Sequence, residues 1–170
     1  MAVQTPHELH KVDHAALRTN QAFIIGLNIL AFILNVPWLS AAVAVVMVLG
    51  TILKKPGFGF IYRLVLKPLG IVRPDVVQDN PEPHRFAQGL GGTVLLAGAG
   101  ALFGGLSVLG WGLVWLVVAL AALNLFGGFC VGCAMYYWLS RLDVPGFEKS
   151  PPPDTVPGMR PRQNLGSEVK

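Results

Sequence analysis

Cys130 and Cys133 are the only thiols in this 170-residue chain, and they stand three residues apart. On a helix, positions i and i+3 share a face. A pair so placed can act as a dithiol/disulfide couple or hold a soft metal ion. Gly127 and Gly128 precede the pair and can loosen the helix. A fresh helix start there would favour thiolate, because a helix N-terminus carries partial positive charge. A four-ligand zinc site is not expected: there is no second Cys-x-x-Cys, and His84 is the only nearby histidine. Cu(I) held by Cys130, Cys133 and Met135 is the metal alternative, and the packing of two small apolar side chains is the alternative without chemistry. His7, His10 and His14 would share a face if the N-terminal segment were helical, as a metal cluster or a solvated one.

The elements that position the cysteines follow from where charge is missing. No Asp, Glu, Lys or Arg occurs from Thr19 to Leu53 or from Phe86 to Ser140. One membrane crossing takes about 20 residues of helix, so each stretch holds two. Pro37 suits the first turn of a helix but cannot continue one. Helices are therefore expected at about 16–34 and 37–53, and, with a turn at Leu109-Gly110, at about 86–108 and 111–139. The fold class is an all-α integral membrane protein: four transmembrane helices as two hairpins, joined by an interfacial segment and loop over 54–85. Phe58, Ile61 and Val65 would face lipid there, with Arg63 and Lys67 at headgroups. Pro81 and Pro83 make 76–84 a loop. Residues 1–15 form a polar N-terminal segment, and 143–170 a Pro-rich tail too poor in apolar residues to order itself.

The hairpin geometry adds neighbours to the dithiol. A turn at Leu109-Gly110 sets Cys130 level with Gly89 and Cys133 level with Phe86. Arg85 and Gln88 then reach the same membrane boundary. Arg85 would stabilise a thiolate, and Gln88 would orient the site. The glycines on both helices would allow close backbone approach. Arg18-Thr-Asn-Gln21 and Arg85-Phe-Ala-Gln88 each open a hairpin, a faint internal repeat. Asn28 and Asn124 are read as interhelical hydrogen-bonding amides.

Composition agrees with this class. Charged residues make up 13% and hydrophobic residues 53%, against roughly 25% charged in soluble domains. All 13 Lys and Arg lie before the first expected span, between the second and third, or after the fourth. The positive-inside rule places those regions, and both termini, in the cytoplasm. Trp38, Trp111 and Trp115 mark the outer interface, and Tyr136, Tyr137 and Trp138 the inner one. The basic residues flank apolar spans instead of lining a polar face, so nucleic acid is not an expected partner. The lipid bilayer is. No carboxylate lies within a span, which disfavours proton-coupled transport. With no phosphate loop, Gly-x-Ser-x-Gly or dinucleotide fingerprint, no cofactor is expected.

Three segments carry a resemblance: Gly57-Phe-Gly-Phe-Ile-Tyr-Arg-Leu-Val-Leu-Lys-Pro68, Asn80-Pro-Glu-Pro-His-Arg-Phe-Ala-Gln88, and Phe129-Cys-Val-Gly-Cys133 followed by Met135-Tyr136. From about Asp13 to Leu142 the chain resembles a family of small bacterial integral membrane proteins classed as a domain of unknown function. The family usually has Pro where this chain has His84, so the resemblance lends that histidine no role. It implies a four-span protein of the inner membrane with cysteines belonging to the family pattern. It also implies an association with thioredoxin-like or sulfur-transfer proteins. The expected function is a membrane-embedded thiol redox or sulfur-relay component with Cys130 and Cys133 near the cytoplasmic face. A structural or accessory subunit of a membrane complex, a small solute or metal channel, and a homo-oligomer remain open alternatives.

Overall fold

The computed structural model describes residues 10–70, 74–152 and 155–161; His7 and the end of the tail lie outside them. The elements run β1 (His10–Asp13), α1 (His14–Ile33), α2 (Pro37–Ile52), α3 (Gly59–Ile61), a π-helical turn (Tyr62–Leu66), β2 (Val76–Asp79), α4 (Pro81–Phe103), α5 (Ser107–Gly127) and α6 (Val131–Arg141). Helices α1, α4 and α5 are long and apolar enough to cross a membrane, and α2 is a shorter apolar helix. This is compatible with a multi-pass membrane protein.

Each long helix begins and ends for a local reason. The Asp13 side chain accepts from Ala15 N and caps α1. Pro37 sits in the first turn of α2, where its missing N–H costs nothing. The same logic corrects the expected 76–84 loop. Pro81 and Pro83 lie in the first turn of α4, where the N–H groups they lack would have had no intrahelical acceptor. Val76–Asp79 pairs antiparallel with β1, His10 opposite Asp79, so the N-terminal segment and the loop make a two-stranded ribbon. The second hairpin turns earlier than expected: α4 ends at Phe103, and Gly105 takes a left-handed φ of +80° before α5 starts at Ser107. The Gly104-Gly105 pair makes the turn because glycine enters that region without strain.

Helices α1, α2, α4 and α5 form a ring in which each packs on two neighbours, and α6 packs on α4. The core between them holds Ile24, Val43, Ala44, Met47, Leu95, Val114 and Val117. Close approach depends on small residues, as in membrane bundles generally. A Cβ on Gly50 would meet Gln88 Nε2 at 2.6 Å and Gly57 Cα at 2.8 Å. Aromatic contacts tie the two outer turns: Trp38 to Phe103 at 4.5 Å, and Phe32 to Trp111 and Trp115 at 5.2 and 5.4 Å.

Three further readings change. Phe58 does not face outward: it is buried, stacks on Phe23 at 5.7 Å, and donates its backbone N–H to Asn20 Oδ1. Burying such a ring is worth about 2 kcal/mol, which explains why the linker folds back into the bundle. Phe60, Leu64 and Leu69 are exposed there instead. Asn28 donates to Ile24 O within its own helix, not across helices. The described part of the tail makes defined contacts. Phe147 packs edge-on against Phe86, and Met159 bridges to Phe129.

Candidate functional site

The dithiol sits at a helix break. Helix α5 stops at Gly128, whose φ of +65° reverses the chain, and α6 starts at Val131. The expected single helix over 111–139 is thus two helices, divided where the Gly-Gly pair gives least resistance to a left-handed residue. Cys130 is the N-cap of α6, with its sulfur accepting from Cys133 N at 3.3 Å. It takes the place usually held by a Ser or Asp oxygen. The strand-like segment just before it is pinned by the tail: Cys130 N donates to Gly158 O at 2.8 Å, and Arg160 N donates to Gly128 O at 3.0 Å. Gly132 lets α6 lie against α4, since a Cβ there would meet Ala87 Cβ at 2.5 Å.

Both sulfurs are buried, at 7% and 3% exposure, and both cysteines are free thiols. The two are not equivalent. The hydrogen bond from the Cys133 thiol is the largest influence on Cys130 and holds its pKa well below the ordinary thiol value. Burial opposes this, and His84 supports it. Cys133 is pushed the other way, first by that same hydrogen bond and then by burial, so it keeps its proton. A helix N-terminus and a Cys-x-x-Cys spacing are conditions under which one thiol of a pair becomes the nucleophile.

A chain of polar side chains runs from the sulfurs to the ribbon. His84 Nδ1 lies 3.5 Å from Cys133 Sγ, and His84 Nε2 lies 2.9 Å from Asp79 Oδ2. His14 Nε2 reaches the same carboxylate oxygen at 3.1 Å. A carboxylate only accepts, so both Nε2 atoms donate. His84 Nδ1 faces the Cys133 thiol. Burial disfavours the Asp79 anion, but bonds from His14 and His84 outweigh it and hold the carboxyl well below the usual carboxylate range. Asn80 N adds a bond to Asp79 Oδ1 at 2.7 Å. A thiol, a base beside it and a carboxylate orienting the base form the arrangement that activates nucleophiles in general. The atoms could also serve a metal: His84, Cys130 and Cys133 offer three ligand atoms within 4.8 Å of one another, a set suited to a soft ion.

The sequence-derived neighbours fare differently. Cys130 and Cys133 do come together at the end of the bundle. Gln88 does not orient them. Its Oε1 accepts from Asn20 and Gly57, and its Nε2 donates to Met47 O at 2.9 Å, so it fastens α1, α2 and the linker to α4. Arg85 has no ion-pair partner among the described residues and lines neither cavity beside the cysteines. His10 and His14 share no helical face: His10 is in β1 and exposed, while His14 begins α1 and is buried; His7 lies outside the described residues.

Residues 12–141 match the family described as Domain of unknown function (DUF4395). The chain belongs to that family. The match spans β1 through the last residue of α6, so ribbon, bundle and dithiol all lie within the DUF4395 region. No curated protein and no solved structure matches the chain significantly.

Proposed function

We propose that this DUF4395 protein is a four-span membrane protein whose Cys130–Cys133 pair works as a thiol redox couple at the cytoplasmic end of the bundle. The α1–α2 and α4–α5 turns carry no charge, while every described Lys and Arg lies at the opposite end of the helices or in the tail. That asymmetry supports counting α2 as a span and placing both termini inside.

The observation that carries the redox reading is the division of labour at the break: an N-cap thiol disposed to ionise, with a protonated partner one turn on. In the step, the Cys130 thiolate attacks one sulfur of a partner's disulfide. An S–S bond forms as the old one breaks, and the partner's second sulfur leaves as thiolate. Cys133 then gives its proton to the departing thiolate and attacks Cys130, forming the intramolecular disulfide and releasing the partner fully reduced. A thioredoxin-like or sulfur-transfer protein fits the role, because the cytoplasm keeps disulfides transient. Asp79 and His14 position His84.

The test is a redox titration of membranes in thiol/disulfide buffers, with both cysteines followed by mass spectrometry. The expected result is one two-electron transition converting both thiols to a mutual disulfide. Two thiols that persist across all buffers would overturn the reading. A second reading, a soft-metal site, rests on the three clustered ligand atoms. Stoichiometric Cu(I) or Zn(II) retained by the wild-type protein but lost with His84→Ala would favour it.

A further inference from the structure

Two cavities meet at Cys130, and they differ in kind. One is small, about 80 Å³, and includes His14, His84, Asp79, Arg18 and Arg160. The other holds about 240 Å³ between α1, α4, α5 and α6. Its wall is mostly apolar, and Leu90, Leu116, Leu120 and Met135 in that wall are also exposed on the outside of the bundle, at 38–49%. In a membrane those residues face lipid, so this cavity opens to the bilayer.

The apolar cavity is not purely apolar. Gln21 and Asn124 stand where the two cavities adjoin, lining both, and their side chains make no hydrogen bond to any described residue. An amide without a partner is costly in hydrocarbon, and its presence points to an occupant that accepts or donates hydrogen bonds. The volume sets the size. A dry protein cavity of about 150 Å³ holds a benzene ring, so this one has room for a six-membered ring with oxygen and alkyl substituents. A dithiol releases two electrons and two protons together, and its acceptor must take both.

We propose that the cavity binds the ring of a lipid-soluble quinone, which oxidises the Cys130–Cys133 dithiol. The inference rests on the redox reading above, with the exchange run in reverse so that a partner dithiol reduces the Cys130–Cys133 disulfide before the quinone reoxidises it. The quinone enters between α4 and α5 from the bilayer, with its carbonyl oxygens accepting from the amides of Gln21 and Asn124. The Cys130 sulfur bonds to a ring carbon. The Cys133 sulfur then attacks Cys130, the S–C bond breaks, and its electron pair leaves with the ring. The two protons the thiols give up balance the two taken by the oxygens: dithiol plus quinone becomes disulfide plus quinol.

The experiment uses the full chain, reduced, in liposomes. A short-tailed alkyl benzoquinone is the lipid-soluble oxidant and hydroxyethyl disulfide the water-soluble one. Quinol is read by absorbance and the disulfide by mass spectrometry. Wild type is expected to form one quinol per disulfide. Leu120→Trp, which fills the cavity, is expected to slow quinol formation at least tenfold and leave oxidation by hydroxyethyl disulfide unchanged. Leu96→Trp, on the exposed surface of α4 away from the cavity, is expected to change neither. If hydroxyethyl disulfide oxidises the pair but the quinone does not, or if Leu120→Trp has no effect on quinol formation, the quinone proposal is overturned and the redox reading stands. If neither reagent forms the disulfide, both fall.

Discussion

On one side of Cys130 lie His84, Asp79 and His14, with Arg18 and Arg160 beyond them; on the other lie Leu90, Leu116, Leu120 and Met135. Within the first group His84 and His14 are cross-linked through Asp79 by short hydrogen bonds, and Asp79 belongs to the ribbon. The second is held by packing alone and is open to lipid. The difference suits the proposed role, in which protons would pass on the polar side and electrons on the apolar one. A buried polar network is stable only when its members are satisfied, which makes the first side rigid. An apolar wall in a bilayer repacks at little cost, because lipid and leucine are equivalent surroundings.

The comparison can be broken most completely at the residue both sides share. Cys130→Ser is expected to abolish disulfide formation with every oxidant, because serine cannot carry the electron pair. Cys133→Ser should instead accumulate a mixed disulfide on Cys130, visible as a mass adduct after exposure to hydroxyethyl disulfide.

The next effect falls on the polar side. Asp79→Asn removes the negative charge that the two imidazoles share and is expected to cost about 3 kcal/mol of stability, measured by thermal unfolding in detergent. The sign of the pH dependence follows from the carboxyl being held below its ordinary value of 3.8. Its stabilisation is complete above about pH 4 and shrinks as pH falls further. Wild type should therefore lose stability on acidification faster than Asp79→Asn does.

Gly132→Val separates the two sides mechanically. The new Cβ would overlap Ala87, and pushing α6 off α4 is expected to cost about 2 kcal/mol and to raise alkylation of both cysteines in folded protein. The smallest effect belongs to the apolar side. Asn124→Leu removes one amide from a wall of leucines. It should leave stability nearly unchanged and slow quinone reduction only a few-fold, with oxidation by hydroxyethyl disulfide unaltered.

How much of this was legible in the sequence divides along the same line. The bundle was legible, because an uncharged stretch long enough for two crossings and interrupted by Pro37 has few other uses. The dithiol was legible from spacing, and so was its place at the charged end. The polar network was not. His14, Asp79 and His84 lie far apart in the chain and meet only because β1 pairs with β2, and two strands of four residues leave almost no periodic signal. A buried Asp79 next to a proline-rich helix start, with histidines on either side in sequence, was the available hint. The role given to Arg85 failed because matching depth along two helices says nothing about direction around them. Gln88 was placed at the right depth, but its amide is spent on three backbone groups that a helical projection cannot show. The break at Gly128 was visible as a weakness, yet only the Phe129–Met159 bridge makes it a defined turn.

The central claim is that Cys130 is a thiolate within the folded protein while Cys133 is not. The most direct measurement is the rate of iodoacetamide alkylation at each cysteine in intact membranes between pH 5 and 9, resolved by mass spectrometry. The account predicts that Cys130 reacts at a rate already level across neutral pH, with its midpoint well below the ordinary thiol value of about 8.5, and that Cys133 stays unmodified. A Cys130 rate that climbs through pH 8–9 like a free thiol, or labelling of Cys130 only after unfolding, would contradict it.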